Sequence, residues 1–505
     1  MTNERRAFLA KLAASGVALT TASRSQPEAP PSDARHAGAA GMHDVRAFGA
    51  KGDGATDDTA AFNAATSAAQ AVNTQGSRLG VFVPPGTYRI DGTVFVRKGQ
   101  SLVGAGDASV IDASRARGRT IVLGRDARDR DDPGGAPATL GELRFWGGSD
   151  RAPLIDVPLA GFILRNLFIT SAGIGIAVGG GDGIVANVII DQALNGIVLR
   201  GARNVLVDNL IVYAANYAVT VDRGTNDIAL SNLMVAYSKH ASIVFSEGAG
   251  DITSVRVTGA TFVSSIEYPT FVGHVHARAD NLDAQFSDCV FRNWRGFAVT
   301  QAAGNGARLS FSNCTFDGAR SHPSYNASAT ASGVRTGTGA QLRLSDCRFA
   351  HLPGPVIEVG PGLRALTFDG GSIEACRGDP IRFAGRGGGR IRVRGVDGFG
   401  RRLDGAGRSA IVLPWCGPTT GWRVTATRRG MPGGMTSATV AACADGDAIA
   451  CTLAGEERHG APLSLTCGPG AAPGPAVRAS LGEGNGLLWV STAAADVDWA
   501  ADSIG

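Results

Sequence analysis

Leu-Arg-Asn-Leu (164–167), Val-Ala-Asn-Val (185–188), Val-Asp-Asn-Leu (207–210) and Leu-Ser-Asn-Leu (230–233) are four copies of one phrase. Each sets a polar anchor, an Asn, between apolar ends. The anchors Asn166, Asn187, Asn209 and Asn232 lie 21, 22 and 23 residues apart. Looser copies follow at Phe-Ser-Asp-Cys (286–289), Phe-Ser-Asn-Cys (311–314) and Leu-Ser-Asp-Cys (344–347). Each early copy is trailed by a second alternating strand, such as Gly-Ile-Val-Leu (196–199) or Ala-Val-Thr-Val (218–221). Short β-branched strands at a fixed period, separated by Gly, Asn and Asp turns, are the pattern of a solenoid. Asn and Asp tolerate the left-handed backbone that a sharp corner needs. Each strand then pairs with its counterpart one coil along, which gives parallel sheets around an inward apolar stack. The expectation is an all-β solenoid, a parallel β-helix, and crossover handedness makes it right-handed.

The rest of the 505 residues narrows the class. With 44% hydrophobic and 18% charged residues the chain can bury a large core, so global disorder is excluded. No stretch of 18 uncharged apolar residues occurs, so no membrane span is expected. A formal net charge of +4 over this length, without a basic stripe, argues against a nucleic-acid partner. Only four of the 48 basic residues are lysines: Lys11, Lys51, Lys98 and Lys239.

Upstream, Asp-Val-Arg-Ala-Phe-Gly-Ala-Lys-Gly-Asp-Gly-Ala-Thr-Asp-Asp-Thr-Ala-Ala-Phe (44–62) and Val-Phe-Val-Pro-Pro-Gly-Thr-Tyr-Arg-Ile (81–90) resemble the opening of the pectate-lyase-like superfamily. The motif is of the rhamnogalacturonase/epimerase type. That resemblance implies a right-handed parallel β-helix over 44–410 and activity on polysaccharides. Thr56 or Asp57 is expected to cap an Ala-rich helix at about 57–73 that closes the open end of the solenoid. Asp53, Asp57 and Asp58 are read as turn and cap residues in preference to a calcium cluster, and no metal or cofactor is expected. Residues 411–505 read as a β-rich C-terminal region or cap. The first 25 residues, with Arg5-Arg6 before a short apolar run, resemble a twin-arginine export signal, followed by a linker over 26–43. This implies passage through the twin-arginine machinery to the periplasm or outside the cell.

Cys289, Cys314 and Cys347 follow their anchors directly, where earlier coils have Leu167, Val188, Leu210 and Leu233. They are expected to form an inward ladder of small hydrophobes. Cys416, Cys443, Cys451 and Cys467 lie in the C-terminal region and are the expected disulfide formers of an exported protein, with three connectivities open.

Chemistry is sought in the corner four to nine residues after each anchor. In successive coils it changes from small residues to Asp191, Tyr213, Tyr217, Tyr237, Lys239, His240, Glu267, Tyr268, Arg292, Trp294 and Arg295. Lys239 is the only lysine after residue 98, and its pKa, unlike that of Arg, can be tuned by burial. For β-elimination from a uronic acid, Lys239, His240, Tyr237 or Tyr268 would serve as base or acid. Arg292 or Arg295 would clamp the carboxylate, with Asp191, Tyr213, Tyr217 and Trp294 binding neighbouring sugars. For hydrolysis, Glu267 would pair with Asp191, or with Glu247 and Asp222. Gly-His-Val-His (273–276) is a loose echo of the polygalacturonase Gly-His-Gly; the other polygalacturonase motifs and the calcium cluster of pectate lyases are not recognisable. Three outcomes stay open: a lyase for an acidic glycan, put first, with a uronan epimerase sharing its proton abstraction; a glycoside hydrolase; and a non-catalytic exopolysaccharide-binding envelope protein.

Overall fold

In a computed structural model of the protein, side chains are described for residues 42–69, 80–124, 136–247, 251–263, 269–301, 306–318, 331–382, 384, 390–393 and 395–398. Eight further strands between Ser409 and Ile504 are described by their backbone. The export signal, the linker, Glu267 and Tyr268 lie outside the described residues.

The anchors bend the chain. Asn166, Asn187, Asn209, Asn232, Asp288, Asn313 and Asp346 all have φ between 51° and 56°. In early coils a single strand runs through the anchor, as in Phe162–Thr170, Gly181–Asp191 and Arg203–Tyr213. In later coils it splits, as in Asn226–Ser231 and Met234–Ala236. Consecutive copies pair in parallel, with Leu164 opposite Val185 and Val185 opposite Val207. The second strand of each coil builds a separate parallel sheet of 12 strands, from Val94–Val96 to Ile381–Phe383. The molecule is thus the expected right-handed parallel solenoid.

Outside the anchors, amides link successive coils: Asn187 Nδ2 donates to Asn166 Oδ1 at 3.0 Å, and Asn209 Nδ2 to Asn187 Oδ1 at 2.9 Å. Inside, Phe262, Phe291, Phe316 and Phe349 stack at centroid spacings of 4.9, 4.6 and 4.6 Å, close to the strand spacing itself. Cys289, Cys314 and Cys347 are buried and reduced, an inward ladder as expected. Cys376 is also buried but lies in a different column, at the corner after the short strand Ser372–Glu374.

The N-terminal motif is structural. Asp53 accepts from the Ala55 and Thr56 N–H groups, which lowers its pKa to about 2. Asp57 accepts from the Thr59 N–H and hydroxyl at the start of the helix Thr59–Ala71. Asp58, itself buried, holds the Lys51 and Gly52 N–H groups at 2.7 and 3.1 Å. Gly52 has φ 64°, and a Cβ there would sit 2.9 Å from the buried Tyr88 ring, which explains the Lys-Gly-Asp-Gly and Gly-Thr-Tyr segments together. The helix buries Phe62, Ala65 and Ala69 against the first coils.

After the parallel strand Arg390–Arg394, strands from Ser409 onward form two four-stranded sheets whose pairings are antiparallel except for Ser464–Cys467 with Ala476–Leu481. Of the four C-terminal cysteines, Cys416 and Cys443 lie outside the described residues, and Cys451 and Cys467 are placed by backbone alone. Among the described residues no helix is long and apolar enough to cross a membrane.

Candidate functional site

The strand after each anchor ends at the same column of the solenoid. Trp146, Thr170, Asp191, Tyr213, Ala236, Val263 and Arg292 follow one another in register. The next residue turns the corner with positive φ, at Ser171, Gln192, Ala214, Tyr237 and Asn293. Its N–H bonds the carbonyl one coil ahead, as Ala214 does with Ala236 and Tyr237 with Val263. The coil-to-coil ladder therefore holds each corner rigidly against the next.

Two adjacent corners carry most of the sequence candidates. The Tyr213 and Tyr237 rings lie 5.0 Å apart, and Tyr217 stacks on His240 at 5.3 Å and 29°. Between those pairs in the chain sits Lys239, exposed, with its N–H on the Ala215 carbonyl and its own carbonyl taken by the Thr270 hydroxyl. Arg292 is exposed two strands along from Ala236, and Arg295 is exposed on the same coil. Tyr213 with Tyr237, and Tyr217 with His240, thus make two ring pairs on the two adjacent corners, the second of which also carries Lys239, with two arginines about 10 Å further along the axis.

Other candidates are not on those two corners. Trp294 is fully buried, its indole N–H on the Ser332 carbonyl at 2.8 Å, so it packs the core and cannot stack on a sugar. Asp191 is 6% exposed. Asp222 is engaged by Arg200 at 2.7 Å, and Glu247 by Arg278 at 2.6 Å. Among the described residues, then, the hydrolytic carboxylates are buried or already ion-paired, and no His, Cys, Asp and Glu group is arranged to hold a metal.

Gly-His-Val-His divides between inside and outside. His274 is wholly buried among Phe262, Phe271, Phe291 and Trp294, where Nδ1 accepts from the Ser242 hydroxyl and Nε2 donates to the Arg292 carbonyl. Burial pushes its pKa down to about 3. His276 faces outward, 2.6 Å from the Thr300 hydroxyl, and its pKa is lowered by partial burial and by Arg278.

Polar groups absent from the sequence reading continue both surfaces. On the corner side, His351 pairs with Asp317, and Arg348 with Glu374. On the outer face of the 12-stranded sheet, Arg335 and Arg382 close over Glu358. The signal for them was the register of that sheet, which the irregular coil lengths after residue 245 conceal in the sequence.

Residues 42–151 match the model of the rhamnogalacturonase A/epimerase, pectate lyase-like family. The matched segment is the opening of a parallel β-helix. Among solved structures, this β-helix is similar to the catalytic unit of a thermostable GH87 α-1,3-glucanase from Streptomyces thermodiastaticus. The two are 17% identical, the likeness covers 75% of this chain and 69% of that one, and the TM-score is 0.54. It also matches the A-module of mannuronan C-5 epimerase AlgE6 of Azotobacter vinelandii at 16% identity over 70% and 99% of the two chains, TM-score 0.49. The surface adhesin PfbA of Streptococcus pneumoniae matches at 14% identity over 68% and 99%, TM-score 0.44. No curated protein matches the chain. At 17% identity the likeness to the glucanase unit shows the fold alone.

Proposed function

We propose that the protein is an exported enzyme that cleaves a uronic-acid-containing polysaccharide by β-elimination at the Tyr213–His240 corners. The observation that carries this reading is the pairing of two ring stacks with Lys239 and His240 on adjacent rigid corners. Ring faces grip sugars, while Lys239 and His240 supply exchangeable protons at the same place. In the reaction a base, His240 or Lys239, removes the proton beside the uronate carboxylate. Its electron pair forms the ring double bond, the glycosidic C–O bond breaks, and the departing oxygen takes a proton from Tyr237 or the second basic group. Arg292 and Arg295 offset the charge that develops on the carboxylate. The alternative of hydrolysis is disfavoured by the engagement of Asp222 and Glu247 with arginines. An epimerase shares the first step and differs in returning the proton to the opposite face. Loss of the active site with retention of binding would make the protein an envelope-bound exopolysaccharide binder.

A panel of acidic and neutral polysaccharides separates these outcomes. Elimination gives the ultraviolet absorbance of a conjugated unsaturated uronate, expected from acidic substrates alone. Lys239→Ala and His240→Ala are each expected to lower kcat by about 100-fold or more, the usual contribution of a positioned acid or base. New reducing ends without absorbance would replace the lyase by a hydrolase, and binding without either product would replace the enzyme by a binding protein. Export belongs to the same proposal: replacing Arg5-Arg6 by Lys-Lys is expected to leave the protein in the cytoplasm, and unchanged export would exclude the twin-arginine route.

A further inference from the structure

Val244, His276, Thr300, Arg335, Glu358 and Arg382 occupy one outward column of the 12-stranded sheet, each in register with the next. The column begins in the strand Ala241–Phe245, which follows His240 directly, so it leads away from the proposed catalytic corner along the solenoid axis. Glu358 is anomalous there. An outward carboxylate on a sheet face is ordinarily solvated, yet Glu358 is 4% exposed.

Two guanidinium groups account for it. Arg335 Nε donates to Glu358 Oε1 at 2.6 Å, and Arg382 donates to Oε2 through Nε at 2.9 Å and through Nη2. The Arg335 guanidinium is further fixed over the Phe297 ring, 4.1 Å from its centroid. Both arginines remain about half exposed, at 49% and 51%. A guanidinium has five N–H donors, and these use one and two on Glu358. Two cations around one anion leave a net positive charge whose remaining donors are already oriented. A buried ion cluster is weak evidence for a stabilising role, since apolar residues of similar volume often serve as well. A fixed cationic fork on an open face has a clearer use in holding anions, because little side-chain entropy is lost when one binds.

We infer that Arg335 and Arg382, braced by Glu358, form a carboxylate-binding subsite that holds the uronate groups of an acidic glycan lying along the outer face of this sheet. The two arginines stand two strands apart, about 10 Å, while a pyranose advances a sugar chain by roughly one strand spacing, so alternate residues of a polyuronate meet them. The inference takes its ligand class from the proposed function but does not depend on turnover.

The test is binding of oligogalacturonate, oligomannuronate and hyaluronan oligosaccharides by calorimetry, each beside its methyl-esterified, uncharged form. At least one acidic oligosaccharide is expected to bind, and its esterified form to bind more weakly. Removing both arginines alone would strand a buried carboxylate, so the variant used is the triple Arg335→Gln/Arg382→Gln/Glu358→Gln, with an unchanged melting temperature as folding control. It is expected to bind the acidic ligand about tenfold more weakly and with a shallower salt dependence, and the esterified ligand as before. Should the triple fail to fold, Arg335→Gln alone is measured the same way and is expected to show a smaller loss confined to the acidic ligand. Equal weakening of charged and esterified forms, no weakening, or no binding of any acidic oligosaccharide by the natural protein would overturn the subsite. Arginine-dependent binding without ultraviolet product would leave the subsite standing and remove the lyase.

Discussion

Phe262, Phe271, Phe291 and Trp294 leave the His274 imidazole no water, and its two nitrogens are already spent on Ser242 and the Arg292 carbonyl. Protonating it would remove the acceptor that Ser242 needs and bury an uncompensated charge. Its folded-state pKa of about 3 stands below the ordinary 6.5, so the unfolded chain binds the extra proton first as pH falls. Stability is therefore full above about pH 6.5 and is lost between there and about pH 3, with a slope approaching 1.4 kcal/mol per pH unit from this group. His274→Asn is expected to be less stable at neutral pH, because it leaves a cavity, but to lose less on acidification from pH 6.5 to 4. Urea unfolding across that range decides it; an unchanged slope would mean His274 is not the titrating group. In the sequence, His274 and His276 fall on one side of an alternating strand. The structure separates them because Gly196, Ala218, Ser242 and His274 form an interior column where the corner enters the sheet. Trp294 has the same explanation. Its column reads Ala172, Ala193, Ala215 and Ser238 in earlier coils, all buried, and that run of small residues was the available sign that the position points inward.

At the scale of the element, the anchor corner was legible because one residue does two visible jobs. Asn187 takes φ 55°, and its side chain bonds the anchors on both sides, donating to Asn166 and accepting from Asn209. Few residue types satisfy both demands, so the column is Asn or Asp in most coils, with Glu142 at its start and Gly259 and Gly370 meeting the backbone demand alone, and its period can be read directly. The second corner, which carries the candidate site, imposes only the backbone demand. It is met by Ser171, Gln192, Ala214, Tyr237, Asn293, His351 and Ala375, and no residue pattern marks it. The strands facing the site were legible, while the Arg335–Glu358–Arg382 cluster was not, since it depends on pairing across coils of unequal length. Two substitutions separate the two jobs of the anchor. Asn187→Gly keeps the left-handed backbone and loses the amide bonds, whereas Asn187→Ala loses both. The alanine variant is expected to be the less stable, by about 1 kcal/mol, from the left-handed strain of a Cβ. Denaturant midpoints of the pair measure this directly, and equal midpoints would assign the whole effect of the column to its hydrogen bonds.

For the whole molecule, coils that touch mainly their neighbours make stability a chain of local interfaces, so each end is where unfolding can begin. Both ends are covered. The final strand Val497–Ile504 lies beside the last parallel strand, Arg390–Arg394. At the other end the helix Thr59–Ala71 is tied down by Asn63, which bonds the Thr93 carbonyl and the Phe95 N–H, and by Gln100, which reaches the Thr66 carbonyl. Phe62 drives that docking, fully buried and edge-on to Tyr88 at 5.4 Å. Phe62→Ala is expected to cost about 3–5 kcal/mol at this interface. If stability is local, the loss stays local: amide exchange should accelerate in Gly80–Val83, Gly86–Arg89 and Val94–Val96, while Gly181–Asp191 and Arg203–Tyr213 keep their protection. The binding of acidic oligosaccharides proposed for the later coils should then survive the substitution. Uniform acceleration along the solenoid would instead mean that the coils unfold as one cooperative unit, with the helix guarding all of them and the candidate corner losing its shape together with the cap.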